Sequence, residues 1–216
     1  MMGWLPLRRR SPAHLHVRNG GVDARELVVV LHGYGADAKQ IPGLLPLRPR
    51  PSTHVFAPEG FLTVRDGGRA WFPVRLDAEG SPDADPQEVE LALDRLRELL
   101  SELRLRARSP RAALTLVGYS QGATLVLETL LSGRDLGLCR AAAFAGLPLR
   151  STDRAPTRPV PIFLGNGTHD PFVPEAAHRR TVERLEALGH PVHARRDPVP
   201  HVVARAALHD LETWLP

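Results

Sequence analysis

The stretch that most constrains this chain is 112–122, where an apolar run ends in Gly118-Tyr119-Ser120-Gln121-Gly122 and a leucine-rich run, 123–131, follows at once. Strand, tight turn and helix, in that order, is the context in which Gly-x-Ser-x-Gly forms a nucleophile elbow. The flanking glycines carry no Cβ, so the backbone can hold a strained turn while strand and helix stay close. Such a turn lifts the Ser120 hydroxyl above the carboxyl end of a sheet, where ligands bind in open α/β folds. An ordinary strand-to-helix turn would read the same way locally. The motif therefore needs chemical partners elsewhere in the chain before it means catalysis.

At 216 residues, 43% hydrophobic and 24% charged, the chain suits one soluble globular domain spanning 1–216, with 1–25 as an N-terminal strand or hairpin region. No apolar run approaches the ~20 residues of a membrane span. Arg8 to Arg10 are not followed by the apolar stretch of a secretory signal, so a cytoplasmic location is expected. Cys139 is the only cysteine, which excludes an internal disulfide and a cysteine-ligated metal site and suggests a small buried hydrophobe. The net charge is +4, and Lys39 is the only lysine. The arginines are scattered without interleaved aromatics, which favours a solvated surface over a nucleic-acid face and leaves a weak attraction to anionic substrates or membrane surfaces.

Along the chain, apolar runs alternate with turn signals. Residues 13–17 read as a first strand or hairpin arm, closed by Asn19-Gly20-Gly21. Glu26–Leu31 is a β-branched run of the kind buried on both faces. Asp37 can cap a short helix ending near Leu45, 46–51 is a proline-rich connector, and 53–57 is the next strand. The segment 58–85 is a long loop with Trp71-Phe72 in its middle, a length that usually signals function or disorder. Its carboxylates Asp77, Glu79, Asp83 and Asp85 lack the spacing of a calcium loop and read as solvated. Asp85, Pro86 and Glu88 open a helix with an apolar stripe at Val89, Leu93, Leu96, Leu100 and Leu103. Strands at 141–146, 160–164 and 192–196 follow, with a helix over 174–188 and a closing helix facing inward through Ala204, Leu208, Leu211 and Leu215. Strands alternating with helices argue an α/β class, with a doubly wound, mostly parallel sheet covered by helices on both faces.

A serine hydroxyl is a poor nucleophile until a base within hydrogen-bond reach takes its proton. That base is usually histidine oriented by a carboxylate, and after a nucleophile elbow the chain order is Ser, acid, His. Of the ten histidines, His14, His16, His32 and His54 precede Ser120. His178 and His209 fall on predicted helices, His193 in a predicted strand, and His190 in a Gly-His-Pro turn. His169 comes too early, beside the acid. His201 lies between the last strand and the last helix, where the third member belongs. Asp170 follows the 160–164 strand through a Gly-Asn-Gly turn and is the candidate acid. Asp197 is a rival too close in sequence to His201 to come from a separate strand end, and Asp153 is a weaker one. For the oxyanion, the backbone N–H groups of Gln121 and of Tyr34, in the His32-Gly33-Tyr34-Gly35 loop, are the candidate donors.

Together these residues resemble the phospholipase/carboxylesterase family of α/β-hydrolases, which includes acyl-protein thioesterases and small bacterial carboxylesterases. The resemblance runs from about Glu26 onward. It rests on Leu31-His32-Gly33-Tyr34-Gly35-Ala36-Asp37, Trp71-Phe72, Gly118-Tyr119-Ser120-Gln121-Gly122, Ala145-Gly146-Leu147-Pro148, the run Asn166 to Val173, and His201. It implies an eight-stranded type of core without a large lid domain, a Ser120/Asp170/His201 triad, and a mechanism with no metal or cofactor. The expected substrate is a small-molecule ester or thioester, met by a monomer or homodimer that binds no nucleic acid and is not stably inserted in a membrane. Three departures stand out: Pro73 where the family often has Asp, Pro200 where it usually has Gly, and Ala123 in place of a second Gly after Ser-Gln-Gly. By loop position, Tyr34, Trp71, Phe72, Leu147, Phe172 and Val173 are candidates for the acyl pocket, with core packing the alternative for each. Other readings are a serine peptidase or different acyl hydrolase on the same fold, a non-catalytic protein that keeps the fold, and an arginine-rich surface binder whose binding would depend strongly on salt.

Overall fold

The computed structural model describes residues 14–21, 23–44, 52–64, 67–77, 82–150 and 153–215. Its strands are β1 (His14–Arg18), β2 (Glu26–Leu31), β3 (Thr53–Pro58), β4 (Leu62–Thr63), β5 (Arg69–Ala70), β6 (Arg75–Leu76), β7 (Pro82–Asp83), β8 (Ala113–Tyr119), β9 (Leu138–Phe144), β10 (Ile162–Gly167) and β11 (Val192–Asp197). The α-helices are α1 (Ile41–Leu44), α2 (Pro86–Ala107), α3 (Gln121–Leu131), α4 (Glu175–Ala187) and α5 (Arg205–Trp214), with a 3-10 turn, Ala38–Gln40, before α1. Among the described residues, seven strands form the main sheet in the order β1-β3-β2-β8-β9-β10-β11. β1 runs antiparallel to β3, and the other neighbours are parallel. The chain leaves β2 for β3 on one side and then crosses to β8 on the other. The carboxyl ends of β2 and β8 therefore flank a topological switch point, where open α/β sheets hold their ligands.

Strand periodicity builds two apolar layers. Leu27, Val29 and Leu31 of β2 face α2 and α3, together with Leu114, Leu116 and Leu185. Val28 and Val30 face the other way, against Ile41, Phe163, Ala207 and Leu211. The sheet is thus covered on both faces, as the alternation of strands and helices predicted. α2 begins where expected: Asp85 accepts a 2.8 Å hydrogen bond from the Gln87 N–H, and Pro86 takes the first helical position. Its predicted stripe is buried throughout.

Several boundaries differ from the sequence-based expectations. The long 58–85 segment carries two short antiparallel ribbons, β4–β5 and β6–β7. The helix after Asp37 is a 3-10 turn followed by a single α-turn, and Leu45 lies outside the described residues. β10 begins and ends later than expected, so Gly165-Asn166-Gly167 are buried strand rather than turn. Those glycines answer to close packing. A Cβ at 165 would lie 2.7 Å from the Phe144 ring, and one at 167 would lie 2.1 Å from the Val199 carbonyl oxygen. α5 buries Ala207 and Leu211, with Ala204 and Leu208 only half-buried. Cys139 is half-buried rather than fully so. The acidic loop shows no metal cluster among the described residues. No described helix is long and apolar enough to cross a membrane.

Candidate active site

Ser120 joins β8 to α3 with φ +53° and ψ −117°, a conformation L-residues avoid. Its N–H is held by the Phe144 carbonyl at 2.9 Å. The glycines on either side permit the turn by close approach. A Cβ on Gly118 would lie 2.3 Å from the Gly122 carbonyl oxygen, and a Cβ on Gly122 would lie 2.4 Å from that of Leu31. This is the elbow the sequence predicted.

The loops after β10 and β11 bring two more side chains to it. His201 Nε2 lies 2.9 Å from Ser120 Oγ, and His201 Nδ1 lies 2.8 Å from Asp170 Oδ2. A carboxylate only accepts, so Nδ1 carries the ring proton and Nε2 is left to accept from the serine hydroxyl. Asp170 is buried, and its second oxygen accepts the Phe172 N–H at 2.9 Å. The Tyr119 hydroxyl donates to the His201 carbonyl at 2.7 Å. Burial, with the Asp170 charge adding to it, raises the Tyr119 pKa, so this phenol stays a donor. The rival acids are engaged elsewhere: Asp197 pairs with Arg195, and Asp153 with Arg184.

Gln121 opens α3, where a first-turn N–H has no intrahelical acceptor. The Tyr34 loop runs beside β5: Gly35 N–H donates to the Arg69 carbonyl at 2.9 Å, and Arg69 N–H donates to Ala36 at 2.9 Å. His32 braces the loop's base. Its Nε2 accepts the Gly60 N–H at 2.9 Å, which leaves Nδ1–H to donate to the Gly33 carbonyl at 2.8 Å. Burial lowers the His32 pKa, and the Gly33 bond and nearby carboxylates oppose it more weakly, so the neutral ring with both roles is favoured.

The proposed pocket residues divide. Tyr34 and Phe172 are exposed, Leu147 is half-buried, and Phe172 meets the His201 ring edge-on at 5.1 Å. Trp71, Phe72 and Val173 are each only 1% exposed. For these three the core-packing alternative describes the observed burial, and Trp71 and Phe72 belong to the α2-side core. The reason is their bonding. The Trp71 indole N–H donates to the His32 carbonyl at 2.8 Å, and its backbone N–H donates to Gln121 Oε1 at 2.9 Å. Gln121 Nε2 completes the clamp on the Phe72 carbonyl at 2.7 Å. The Gln121 side chain thus ties the Trp71 segment to the start of α3, a role that its place in the motif did not reveal. Glu128 was also missed. This buried carboxylate accepts the Leu149 and Arg150 N–H groups at 2.7 and 2.9 Å and the Arg150 guanidinium at 2.6 Å. It fixes the loop that starts beside Ser120.

Residues 12–215 match the sequence model of the phospholipase/carboxylesterase family. The chain belongs to this family. As a member of the phospholipase/carboxylesterase family it is a carboxylic ester hydrolase with the α/β-hydrolase fold. It is similar to acyl-protein thioesterase 1 of Candida albicans, at 29% identity over 83% of this chain and 85% of that protein. The crystal structure of esterase PE8 is 29% identical, with a TM-score of 0.77, over 95% of this chain and 97% of that one. The carboxylesterase of Bacillus cereus shares the fold at 20% identity, with a TM-score of 0.81, over 95% of this chain and 94% of that one. The three departures from the family pattern fit this backbone. The Trp71 segment is clamped through Phe72, upstream of Pro73. The Pro200 carbonyl closes a tight turn with the Val202 N–H at 2.8 Å. With Ala at 123 a Cβ on residue 146 would sit 2.5 Å from the Ala123 methyl, so Gly146 supplies the space.

Proposed function

We propose that Ser120 is the nucleophile of this hydrolase, His201 its general base and acid, and Asp170 the group that orients His201. The observation that carries the reading is the unbroken relay Ser120 Oγ, His201 Nε2, His201 Nδ1, Asp170 Oδ2, with links of 2.9 and 2.8 Å. His201 takes the hydroxyl proton as Ser120 Oγ attacks the carbonyl carbon of an ester or thioester. The oxyanion accepts from the Tyr34 and Gln121 N–H groups, each such donor being worth about 10²–10³ in rate where one has been removed. His201 then passes its proton to the departing alcohol or thiol. Water enters and attacks the acyl carbon as His201 deprotonates it, and His201 returns that proton to Ser120 Oγ as the acyl–oxygen bond breaks to release the free acid. Every proton has a side chain to carry it, so the scheme needs no metal or cofactor. Tyr34, Leu147 and Phe172 are the rim on which an acyl group would rest. The reading keeps a cytoplasmic monomer or homodimer of one domain.

The test is turnover of p-nitrophenyl esters from acetate to palmitate, beside matched acyl thioesters, by wild type and Ser120→Ala. Loss of about 10⁶ in kcat in the variant is expected, and the two series rank ester against thioester. Equal rates in both proteins would remove Ser120 from the mechanism.

A further inference from the structure

We propose that Arg196 is a positioning residue that pins the far side of the turn carrying Asp170. The proposal rests on the triad reading above. The turn, 168–172, leaves β10 and is tied on its first side by the backbone of the β11 end: Thr168 N–H donates to the Asp197 carbonyl at 2.7 Å, and His169 N–H to Val199 at 3.2 Å. The second side holds Phe172, whose N–H orients the Asp170 carboxylate. It is reached from Arg196, whose Nη2 lies 2.7 Å from the Gly167 carbonyl oxygen and 3.4 Å from that of Val173. One guanidinium therefore spans both ends of the segment that places the acid. Both carbonyls are met by the one Nη2, whose two N–H bonds can serve two acceptors.

Holding Arg196 in this place leaves two buried polar atoms without partners among the described residues. Arg196 is register-paired with Asn166 on β10. Its Nε and the Asn166 Oδ1 are both buried without a hydrogen-bond partner among the described residues. Asn166 is itself held by its Nδ2, 2.7 Å from His178 Nδ1. An unmet buried donor is destabilising, and local rules tend to be broken where geometry serves the reaction. Arg196 Nη1 also lies 3.9 Å from Glu175 at the start of α4, an exposed carboxylate that adds little.

The experiment is a double-mutant cycle on kcat and KM for a p-nitrophenyl ester, using Arg196→Met, Arg196→Lys, Asp170→Asn and the two doubles, with thermal melts alongside. A misplaced catalytic group loses about 10- to 100-fold, so Arg196→Met should lower kcat by that factor with KM within about two-fold. Arg196→Lys should restore most of it. In the Asp170→Asn background, which alone loses about 10⁴-fold, Arg196→Met should add less than about two-fold, because its effect passes through Asp170. Wild-type kcat in Arg196→Met, or an undiminished loss in the Asp170→Asn background, would overturn the proposal. If Arg196→Met does not fold, the same cycle with the shorter Arg196→Gln decides. Full activity of Asp170→Asn would instead remove the triad reading itself.

Discussion

Ser120 holds its backbone at φ +53°, a conformation costing about 1–3 kcal/mol that persists only where the surroundings over-determine it. Here they do so through glycines that let backbone meet backbone. The sharpest test is Gly122→Ala. The new methyl would lie 2.4 Å from the Leu31 carbonyl oxygen, so β2 and α3 must part, at about 1–3 kcal/mol. The urea midpoint should fall accordingly. Ester turnover by the folded protein should fall further, because the same displacement separates Tyr34 from Gln121, the two donors we propose for the oxyanion. At this scale the meeting of Ser120, His201 and Asp170, which we propose as the triad, was legible from residue type, chain order and loop position. The side-chain roles of Gln121 and Arg196 were not. Their partners are backbone carbonyls and amides contributed by distant segments, and a carbonyl leaves no mark in a sequence. For Trp71 and Phe72 the sequence left pocket and core both open for a related reason, because the hydrogen bonds that hold them go to the backbone and side chain of distant segments.

Long elements were read well and short ones poorly. α2 declared its cap and its stripe in the sequence because its 22 residues give the 3.6-residue period room to show. Two-residue strands such as β4 and β5 have no period to read. β10 was displaced because Gly165-Asn166-Gly167 has turn composition, whereas the glycines there make room for Phe144 and Val199. The loop after β9 shows how an element can be held from outside itself. Arg150 links Glu128 of α3 to Glu90 of α2, and Arg134 joins Glu90 to Asp94. Arg150→Met would leave Glu128 buried and unpaired, a change that typically costs about 3–5 kcal/mol. Denaturant unfolding should show a loss of that size. The ratio of long-chain to short-chain ester turnover should also move, since Leu147 rides on this loop. A loss of stability with an unchanged ratio would limit the network to structure.

Over the whole molecule, protonation sets a lower pH limit on stability. Burial lowers the pKa of His32, His178 and His190, and that of His178 to about 4. Below the ordinary histidine value of about 6.5, the unfolded chain binds protons that these buried rings refuse. The derivative of stability with pH is therefore positive, and stability falls from about pH 6.5 toward about pH 4. The carboxylates of Glu90 and Asp94, whose pKa values are lowered against opposing desolvation by their arginine partners, act in a lower window. Their stabilisation is complete above the ordinary carboxylate range and is lost as pH drops through it. Urea midpoints measured from pH 7 to pH 4.5 should decline steadily, and His178→Gln should flatten the slope while lowering the plateau. A level profile over that range would mean that these histidines take up protons in the fold at the same pH as in the unfolded chain. The α/β class was legible from the alternation of strands and helices, while the antiparallel pairing of β1 needed tertiary context. The placement of the site also bears on kinetics. Ser120 and His201 are 81 positions apart, and Asp170 and His201 are 31 apart. They meet only when β8, β10 and β11 share one register. Contacts of such separation close late. On dilution from urea, the far-ultraviolet helix signal should recover first and ester turnover should lag behind it, making enzymatic activity a clock for the last step of assembly.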